Sequence, residues 1–262
     1  MHEFDAYTPP QIAERIETSG VAKANMGAQK MLVLAVLAGA FISFGALFYT
    51  LALTGSELGF GPSRLLGGAA FSLGLILVVI GGAELFTGNN LIVMAWADKR
   101  ITARQLLRNW TIVYIGNFIG AAGTAALVVL SGVLDLAGGA VGETAAMIAA
   151  GKLDLSLSEA FFRGVLCNVL VCLAVWLCFA ARSVTDKILA IILPITAFVG
   201  LGFEHSVANM YVVPVTMLAG DMEWQIAPFL ANLVVVTMGN IIGGGGLVAL
   251  VYWLVYRRAP EG

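Results

Sequence analysis

The chain carries the same polar interruption twice within apolar sequence, at positions 120 residues apart. Residues 82–89 read Gly-Ala-Glu-Leu-Phe-Thr-Gly-Asn, and residues 202–209 read Gly-Phe-Glu-His-Ser-Val-Ala-Asn. Each copy places Glu two positions after Gly, and Asn five positions after Glu. A polar break in a membrane helix is tolerated only where it is buried in protein or lines a cavity. A matched pair of breaks, one in each half of the chain, indicates a transport pathway between two structural repeats.

The composition supports a membrane setting for these breaks. Apolar residues make up 60% of the chain and charged residues 11%, with a mean hydropathy of +0.93. A soluble domain has roughly 25% charged residues. The chain is therefore expected to be an integral membrane protein, which excludes a soluble binding module. It has no basic stripe, so nucleic acid is not expected as a partner.

Six apolar segments are near or above the ~20 residues needed to cross a bilayer. They cover roughly residues 30–54, 63–97, 107–134, 158–181, 187–219 and 227–256. The second and fifth contain the interruptions, and each is expected to form two half-helices. A surface amphipathic helix is predicted at residues 10–25. The predicted organisation is an N-terminal segment 1–29, a six-span channel domain 30–257 and a tail 258–262, with both end segments cytoplasmic.

The basic residues predict the orientation of the chain. If the N-terminus is cytoplasmic, eleven of the fourteen Lys and Arg residues fall in inside segments. The positive-inside rule then favours six spans with both termini in the cytoplasm. The three exceptions lie on or toward the outer side: Arg64, Lys152 and Arg163.

The duplication extends beyond the two breaks. Residues 116–120 read Gly-Asn-Phe-Ile-Gly and residues 239–243 read Gly-Asn-Ile-Ile-Gly, 123 residues later. Three spans per repeat is an odd number, so the two halves must enter the membrane from opposite sides. The predicted fold is an all-α membrane protein of six helices in two inverted three-helix repeats, with helices two and five broken.

Three motifs resemble those of the formate/nitrite transporter family. Residues 79–88 resemble its first signature, residues 164–174 its second, and residues 202–210 its central histidine motif. The similarity covers roughly residues 10–257 and is closest to the formate channels at residues 71–77 and 194–210.

The resemblance implies an aquaporin-like protomer in a homopentamer of the bacterial inner membrane, in contact with membrane lipid. It implies passage of small monovalent weak-acid anions and protons, formate first, with nitrite and hydrosulfide as alternatives.

His205 is the main candidate for the chemistry of the pathway. It is one of two histidines and is the one expected at membrane depth. An imidazole titrates near neutrality, so the ring can donate a hydrogen bond to an anion or pass it a proton. The resemblance implies that Thr87 and Asn168 are hydrogen-bonding neighbours that orient the ring. The structural alternatives are a packed histidine, a helix-capping Thr87 and an Asn168 that only joins two helices.

The resemblance also assigns residues to the two sides of this histidine. Lys152 would lie at the outer pore mouth and attract anions, although a solvated surface lysine is the ordinary interpretation. Phe71, Leu85 and Phe198 would form an outer apolar constriction, and Leu75 an inner one. The proposed order of events is that Lys152 collects the anion, a proton is gained near His205, and the neutral acid passes the constrictions.

The charged and amide residues of the breaks are expected to be structural. Glu84 and Glu204 should satisfy backbone N–H groups, and should point away from an anion path or be protonated. Asn89 and Asn209 are expected as repeat-related partners in the same network.

A membrane-embedded enzyme is the alternative from a different class. The consecutive residues Glu204, His205 and Ser206 point in different directions and cannot relay a proton. The sequence offers no group of residues with metal-ligand spacing, so no enzyme activity, cofactor or metal is expected. No asparagine precedes a proline, which excludes the paired Asn-Pro-Ala breaks of an aquaporin.

Overall fold

A computed structural model describes residues 6–258, and over this range the regular structure is entirely helical. The α-helices are α1 (Pro9–Ala24), α2 (Ala28–Leu53), α3 (Phe60–Gly81), α4 (Val93–Ala97), α5 (Ala103–Leu130), α6 (Ala140–Leu153), α7 (Leu157–Ala180), α8 (Val184–Gly200), α9 (Ser206–Ala219), α10 (Ile226–Ile241) and α11 (Val251–Tyr256). Two 3₁₀ segments, Gly88–Ile92 and Val133–Gly139, precede α4 and α6, and a π-helical segment, Ile242–Leu250, joins α10 to α11.

Six helical stretches within residues 6–258 are long and apolar enough to cross a membrane: Ala28–Leu53, Phe60–Gly81, Ala103–Leu130, Val133–Leu153, Leu157–Ala180 and Ile226–Tyr256. Large apolar side chains are exposed along most of these helices, as a lipid-facing surface requires. The protein is therefore a multi-pass membrane protein. The set differs from the predicted spans in two ways. It includes Val133–Leu153, and it lacks the broken fifth span.

The stretch Val133–Leu153 is helical, whereas the predicted spans leave residues 135–157 as an outer segment. Its backbone is irregular from Leu136 to Gly138, and α6 itself has 14 residues. At 1.5 Å per residue, α6 is about 21 Å long, which is less than the ~30 Å hydrocarbon layer. α6 corresponds to α1 in the duplication, since Lys152 of α6 and Lys23 of α1 make equivalent contacts. We call the two sides of the molecule the α1 face and the α6 face.

Both predicted breaks are present. α3 ends at Gly81, and Gly82 has a left-handed backbone with φ +75°. α8 ends at Gly200, and Gly202 has φ +71°. A glycine just past a helix end adopts this conformation without the strain that a Cβ would bring. Helices two and five are therefore broken, as the sequence predicted, and the chain re-enters helix at Gly88 and Ser206.

Close contacts between neighbouring helices recur in both halves. A Cβ at Gly120 of α5 would collide with the Val36 carbonyl of α2, and a Cβ at Gly243 would collide with the Val165 carbonyl of α7. Small residues let membrane helices approach this closely. The two contacts are repeat-related and fix the same helix pairing in both halves, around the two breaks.

Candidate functional site

The two breaks meet in a single hydrogen bond at the centre of the molecule. Thr87 Oγ1 and His205 Nε2 are 2.9 Å apart, and both residues are buried. The other ring nitrogen, Nδ1, accepts the Ala208 backbone N–H at 3.1 Å and thereby caps α9. Because a backbone N–H can only donate, a neutral ring must carry its hydrogen on Nε2. His205 therefore donates to Thr87, which uses its hydroxyl for this bond and not to cap Gly88–Ile92.

Cavities approach this bond from both faces. The α6-face cavity has a volume of about 740 Å³, and His205 forms part of its wall. The α1-face cavity has a volume of about 300 Å³, with Leu85 and Gly88 in its wall. Thr87 lies between Leu85 and Gly88 in the sequence and is fully buried. The Thr87–His205 bond therefore lies between the two cavities.

The residues predicted as constrictions line these two cavities. Phe198 stacks on His205 with ring centroids 5.9 Å apart, and Phe71 meets Phe198 edge-on at 5.6 Å. Both phenylalanines line the α6-face cavity. Leu85, which was grouped with them, instead lines the α1-face cavity together with Leu75, because the first break follows α3 on that side of the molecule.

A polar cluster stands beside the α6-face cavity, built from Lys152, Glu204, Asn209 and Asn232. Lys152 Nζ donates to Glu204 Oε1 at 2.9 Å, and Asn209 Nδ2 donates to Glu204 Oε2 at 2.7 Å. Asn209 also donates to Asn232 Oδ1 at 2.9 Å, and Asn232 donates to the Lys152 carbonyl at 3.1 Å. We call these four residues the α6-face cluster.

The same cluster recurs beside the α1-face cavity, built from Lys23, Glu84, Asn89 and Asn109. The four equivalent bonds measure 2.8 Å from Lys23 to Glu84, 2.7 Å from Asn89 to Glu84, 3.0 Å from Asn89 to Asn109, and 3.2 Å from Asn109 to the Lys23 carbonyl. We call it the α1-face cluster. The duplication therefore holds down to individual hydrogen bonds.

The backbone N–H groups of the breaks are satisfied by residues other than the expected glutamates. Phe86 N–H donates to Asn117 Oδ1 at 2.9 Å, and Ser206 N–H donates to Asn240 Oδ1 at 3.0 Å. The Glu84 and Glu204 carboxylates form ion pairs with lysines instead. The glutamates are thus committed to the lysines and asparagines of their clusters, and Asn117 and Asn240 supply the oxygens for the break N–H groups.

Asn168 and Lys152 are the remaining residues predicted for the pathway. Asn168 makes no hydrogen bond with the His205 ring within residues 6–258; its Nδ2 donates to the backbone carbonyls of Thr87 at 3.2 Å and Asn240 at 2.7 Å. It thus reaches the ring only through Thr87. The side chain of Lys152 is 17% exposed and paired with Glu204, so it is no solvated surface cation.

Lys23, Asn109 and Asn232 belong to the clusters but were missed by the sequence analysis. The signal was present, because Asn109 and Asn232 have the same separation as the two Gly-Asn-x-x-Gly motifs, 123 residues. Lys23 and Lys152 are separated by 129 residues. The spacing differs by element, because the connections between the repeated helices have different lengths in the two halves.

An inverted membrane scaffold with cavities from both faces defines a channel or transporter class of membrane protein. The family model described as "Formate/nitrite transporter" matches residues 10–254. The chain is 42% identical to "Formate channel FocA" of Escherichia coli K12, covering 98% of this chain and 97% of the relative. It is 44% identical to "Probable formate transporter" of Methanothermobacter thermautotrophicus, covering 90% and 91%.

A solved structure shows the same fold. "Pentameric formate channel with formate bound" superposes with a TM-score of 0.82 at 42% identity, covering 88% of this chain and 98% of that one. The chain belongs to the formate/nitrite transporter family. It is thus a transport protein and not an enzyme, as the sequence predicted.

Proposed function

We propose that the protein is a channel for small monovalent weak-acid anions, with formate as its main substrate. The observation that carries the proposal is the Thr87–His205 bond at 2.9 Å between two cavities that open to opposite faces. The names of the relatives in Escherichia coli and Methanothermobacter and the formate-bound solved structure favour formate over nitrite and hydrosulfide.

Collection of the anion is the first step. Both cavities have basic side chains in their walls, among them Lys152 on one side and Lys23 on the other. Positive potential in a cleft raises the local concentration of anions. Glu204 and Glu84 each neutralise one lysine, so the net attraction comes from the further cations of each cavity. These are Arg64 and Arg163 on the α6 face and Arg15 and Lys187 on the α1 face.

Passage of the apolar region is the second step. A bare anion that crosses beside Phe71 and Phe198 on one side, or Leu75 and Leu85 on the other, loses its hydration without polar replacement. A neutral weak acid avoids most of that penalty. A gain of one proton by formate before the apolar region, and its release on the other side, therefore allows net transfer of the anion together with a proton.

His205 is the residue that controls this proton step. Its Nε2–H is bonded to Thr87 between the two cavities, and a rotation away from Thr87 would offer it to an anion oxygen. The hydrogen bond holds the anion where a hydronium ion in the α6-face cavity can transfer a proton to it and leave as water. The stacking of His205 on Phe198 keeps the ring beside the apolar wall.

The same ring makes passage dependent on pH. An imidazolium donates from both nitrogens and so cannot accept the Ala208 N–H. Protonation of His205 therefore removes the cap of α9 and changes the segment that contacts Thr87. We propose that a high proton load biases the Thr87 segment toward closure in this way.

The cellular arrangement follows from the same proposal. The protomer comprises the segment 1–29, whose helix α1 lies on the α1 face, the channel domain 30–257 and a tail 258–262, of which residues 1–5 and 259–262 lie outside the described part. We propose five protomers in a ring, in contact with lipid of the bacterial inner membrane and with both termini in the cytoplasm. The solved pentameric relative and the basic residues on the α1 face support this arrangement.

The test is flux into proteoliposomes of formate, nitrite and hydrosulfide across a pH series. Wild type should carry formate fastest, with a clear pH dependence. His205→Phe removes both ring nitrogens, so its residual formate flux should respond little to pH. Unchanged pH dependence in this variant would refute the proton role of His205.

A matched control separates the cap from the proton. His205→Asn provides a side-chain oxygen that can cap α9 but cannot take a proton. It should keep the stability of the wild type while losing the wild-type pH profile. If wild type carries nitrite or hydrosulfide faster than formate, the assignment of the anion is wrong and the family assignment stands.

A further inference from the structure

The α6-face cavity contains more positive charge than its duplicated scaffold needs. Lys152, Arg64 and Arg163 line it together with one carboxylate, Glu204. Lys152 and Glu204 form an ion pair at 2.9 Å and largely neutralise each other. Within residues 6–258, neither arginine forms an ion pair with a carboxylate. The net positive charge of this cavity therefore comes from its two arginines.

Arg64 is held in a fixed orientation at the cavity wall. Its Nε donates to the Gly200 carbonyl at 3.1 Å, and its Nη1 donates to the Tyr49 hydroxyl at 2.7 Å. Nη2 makes no hydrogen bond to any described residue, and a Cβ built on Gly202 would lie 2.9 Å from it. A guanidinium has five N–H donors in one plane. Two anchors therefore fix the plane, and the Nη2 donors are left available.

Arg163 approaches the same glycine from α7. Its Nη1 donates to the Gly202 carbonyl at 3.3 Å. The nearest acidic residue on its own helix, Glu159, uses its carboxylate to accept from Ser156 in the capping box of α7. Two guanidinium groups, from α3 and α7, thus converge at the second break, immediately before His205 in the chain.

The duplicated scaffold does not need these guanidinium groups. Arg163 and Leu34 are equivalent positions, because their carbonyl oxygens accept the backbone N–H of Glu204 and Glu84, at 3.3 and 3.2 Å. The first half of the molecule makes this bond with a leucine. The arginine side chain is therefore an addition to one copy, beside the cavity that contains His205. The α1-face cavity takes its extra cations from other positions, Arg15 and Lys187.

We propose that Arg64 and Arg163 form a docking site for a planar two-oxygen anion, a carboxylate or nitrite, on the α6-face side of His205. Arg64 has Nη2 free, and Arg163 has Nε and Nη2 free of hydrogen bonds to described residues. These fixed N–H groups can donate to both oxygens of one planar anion, a geometry that a lysine ammonium does not match. A hydrosulfide ion has no second oxygen and is attracted by charge alone. This proposal rests on the proposed function and adds its specificity: the two arginines favour formate and nitrite over hydrosulfide.

The experiment compares KM and maximal flux for formate, nitrite and hydrosulfide in proteoliposomes. Arg64→Lys and Arg163→Lys keep the charge and lose the planar fork, so each should raise KM for formate and nitrite about threefold to tenfold. The KM for hydrosulfide and the maximal flux of all three should stay near wild type. Arg64→Gln removes the charge and should raise all three KM values. Arg104→Gln, an exposed arginine outside both cavities, is the matched control and should change none of them.

The outcomes separate the two proposals. If wild type carries none of the three anions, the proposed function fails and the docking site fails with it. If wild type carries formate but both lysine variants keep the wild-type ratio of KM values, only the docking site is wrong. Hydrosulfide flux shows that each variant is folded; should Arg64→Lys lose it because Gly200 loses its anchor, Arg163→Lys decides the question.

Discussion

The two polar clusters share one set of four hydrogen bonds but differ in whether the side-chain oxygen of the first asparagine, Asn89 or Asn209, has a hydrogen-bond donor. In the α1-face cluster, Lys23 donates a second hydrogen bond, to Asn89 Oδ1 at 2.9 Å. In the α6-face cluster, the equivalent oxygen, Asn209 Oδ1, is buried and has no partner among the described residues. The first cluster is therefore saturated, and the second keeps unused hydrogen-bonding capacity on the side where His205 lines the cavity.

The residues that follow each glutamate differ more than the clusters do. Leu85 and Phe86 follow Glu84, and Phe86 packs edge-on against Trp110 and Tyr114. His205 and Ser206 follow Glu204, and His205 bonds across the centre to Thr87. The first break therefore places the apolar side chain of Phe86 against other aromatic rings, and the second places the titratable ring of His205 at the centre. The duplicated bonds therefore fix both breaks in the same way, while the side chains that follow each glutamate differ between the copies.

The largest expected effect comes from removing the asparagines that hold both breaks. Asn240 donates to the Gly164 carbonyl at 2.8 Å and the Glu204 carbonyl at 3.0 Å, and accepts from Ser206. Asn240→Leu leaves these buried groups unpaired and should cost about 3 kcal/mol or more of unfolding free energy. Thermal unfolding in detergent measures this. Asn117→Leu should cost a similar amount. If the losses of unfolding free energy in the two variants differ by more than about half of the larger loss, the equivalence of the two copies is contradicted.

The next effect distinguishes the two ion pairs. Glu204→Gln leaves Lys152, 17% exposed, without its carboxylate, whereas Glu84→Gln leaves Lys23, 28% exposed, with Asn89 still as acceptor. Breaking a buried pair is strongly destabilising because a buried charge is left uncompensated. We expect about 2 kcal/mol for Glu204→Gln and roughly half of that for Glu84→Gln. A double-mutant cycle with Lys152→Met tests the cause, since removal of both partners should recover most of the loss.

A smaller effect is expected at the contact between the breaks. Thr87→Val removes the acceptor of the His205 Nε2–H and preserves shape, which should cost about 1 kcal/mol and alter the pH profile of flux. Thr87→Ser keeps the hydroxyl and serves as the control. A Thr87→Val protein with the wild-type pH profile would show that this bond does not participate in the pH response.

The smallest effect contrasts α1 with its counterpart α6. Glu17 of α1 is fully buried and is paired with Arg257 at 2.9 Å and Arg100 at 3.3 Å. Burial raises the pKa of the Glu17 carboxyl, although both arginines oppose the shift. The packed state of α1 therefore binds the proton of Glu17 more tightly than the unpacked state does. The stability that this proton adds to the packing of α1 is present at low pH and is lost as pH rises through the raised pKa.

Hydrogen exchange of the α1 amides, corrected for intrinsic rates, measures this dependence. Protection of α1 should increase as pH falls from 7 toward 4.5, and Glu17→Gln should remove most of the change. The α6 amides provide the internal control, because no buried carboxylate of α6 is held by two arginines in this way. Equal pH responses in α1 and α6 would contradict the assignment to Glu17.

Local patterns predicted the features that depend on neighbouring residues. The two breaks follow from glycines that end α3 and α8 and from polar residues in apolar runs. The inversion follows from an odd number of spans per repeat. The helix in Val133–Leu153 was not predicted, because the segment lies between two longer apolar spans, and its role as the counterpart of α1 depends on contacts with distant residues. That role became evident only from the contact between Lys152 and Glu204.

The sequence by itself determined the family, the six spans and the two breaks, and made His205 a candidate, since hydropathy, glycine spacing and motif order are properties of the linear chain. Only the tertiary structure decided which side chains meet. It brought Thr87 to His205, moved Leu85 to the α1-face cavity, gave the break N–H groups to Asn117 and Asn240, and directed Arg64 and Arg163 to one glycine. These contacts join residues that are 30 or more positions apart, and helix packing in three dimensions, which no local pattern encodes, sets them.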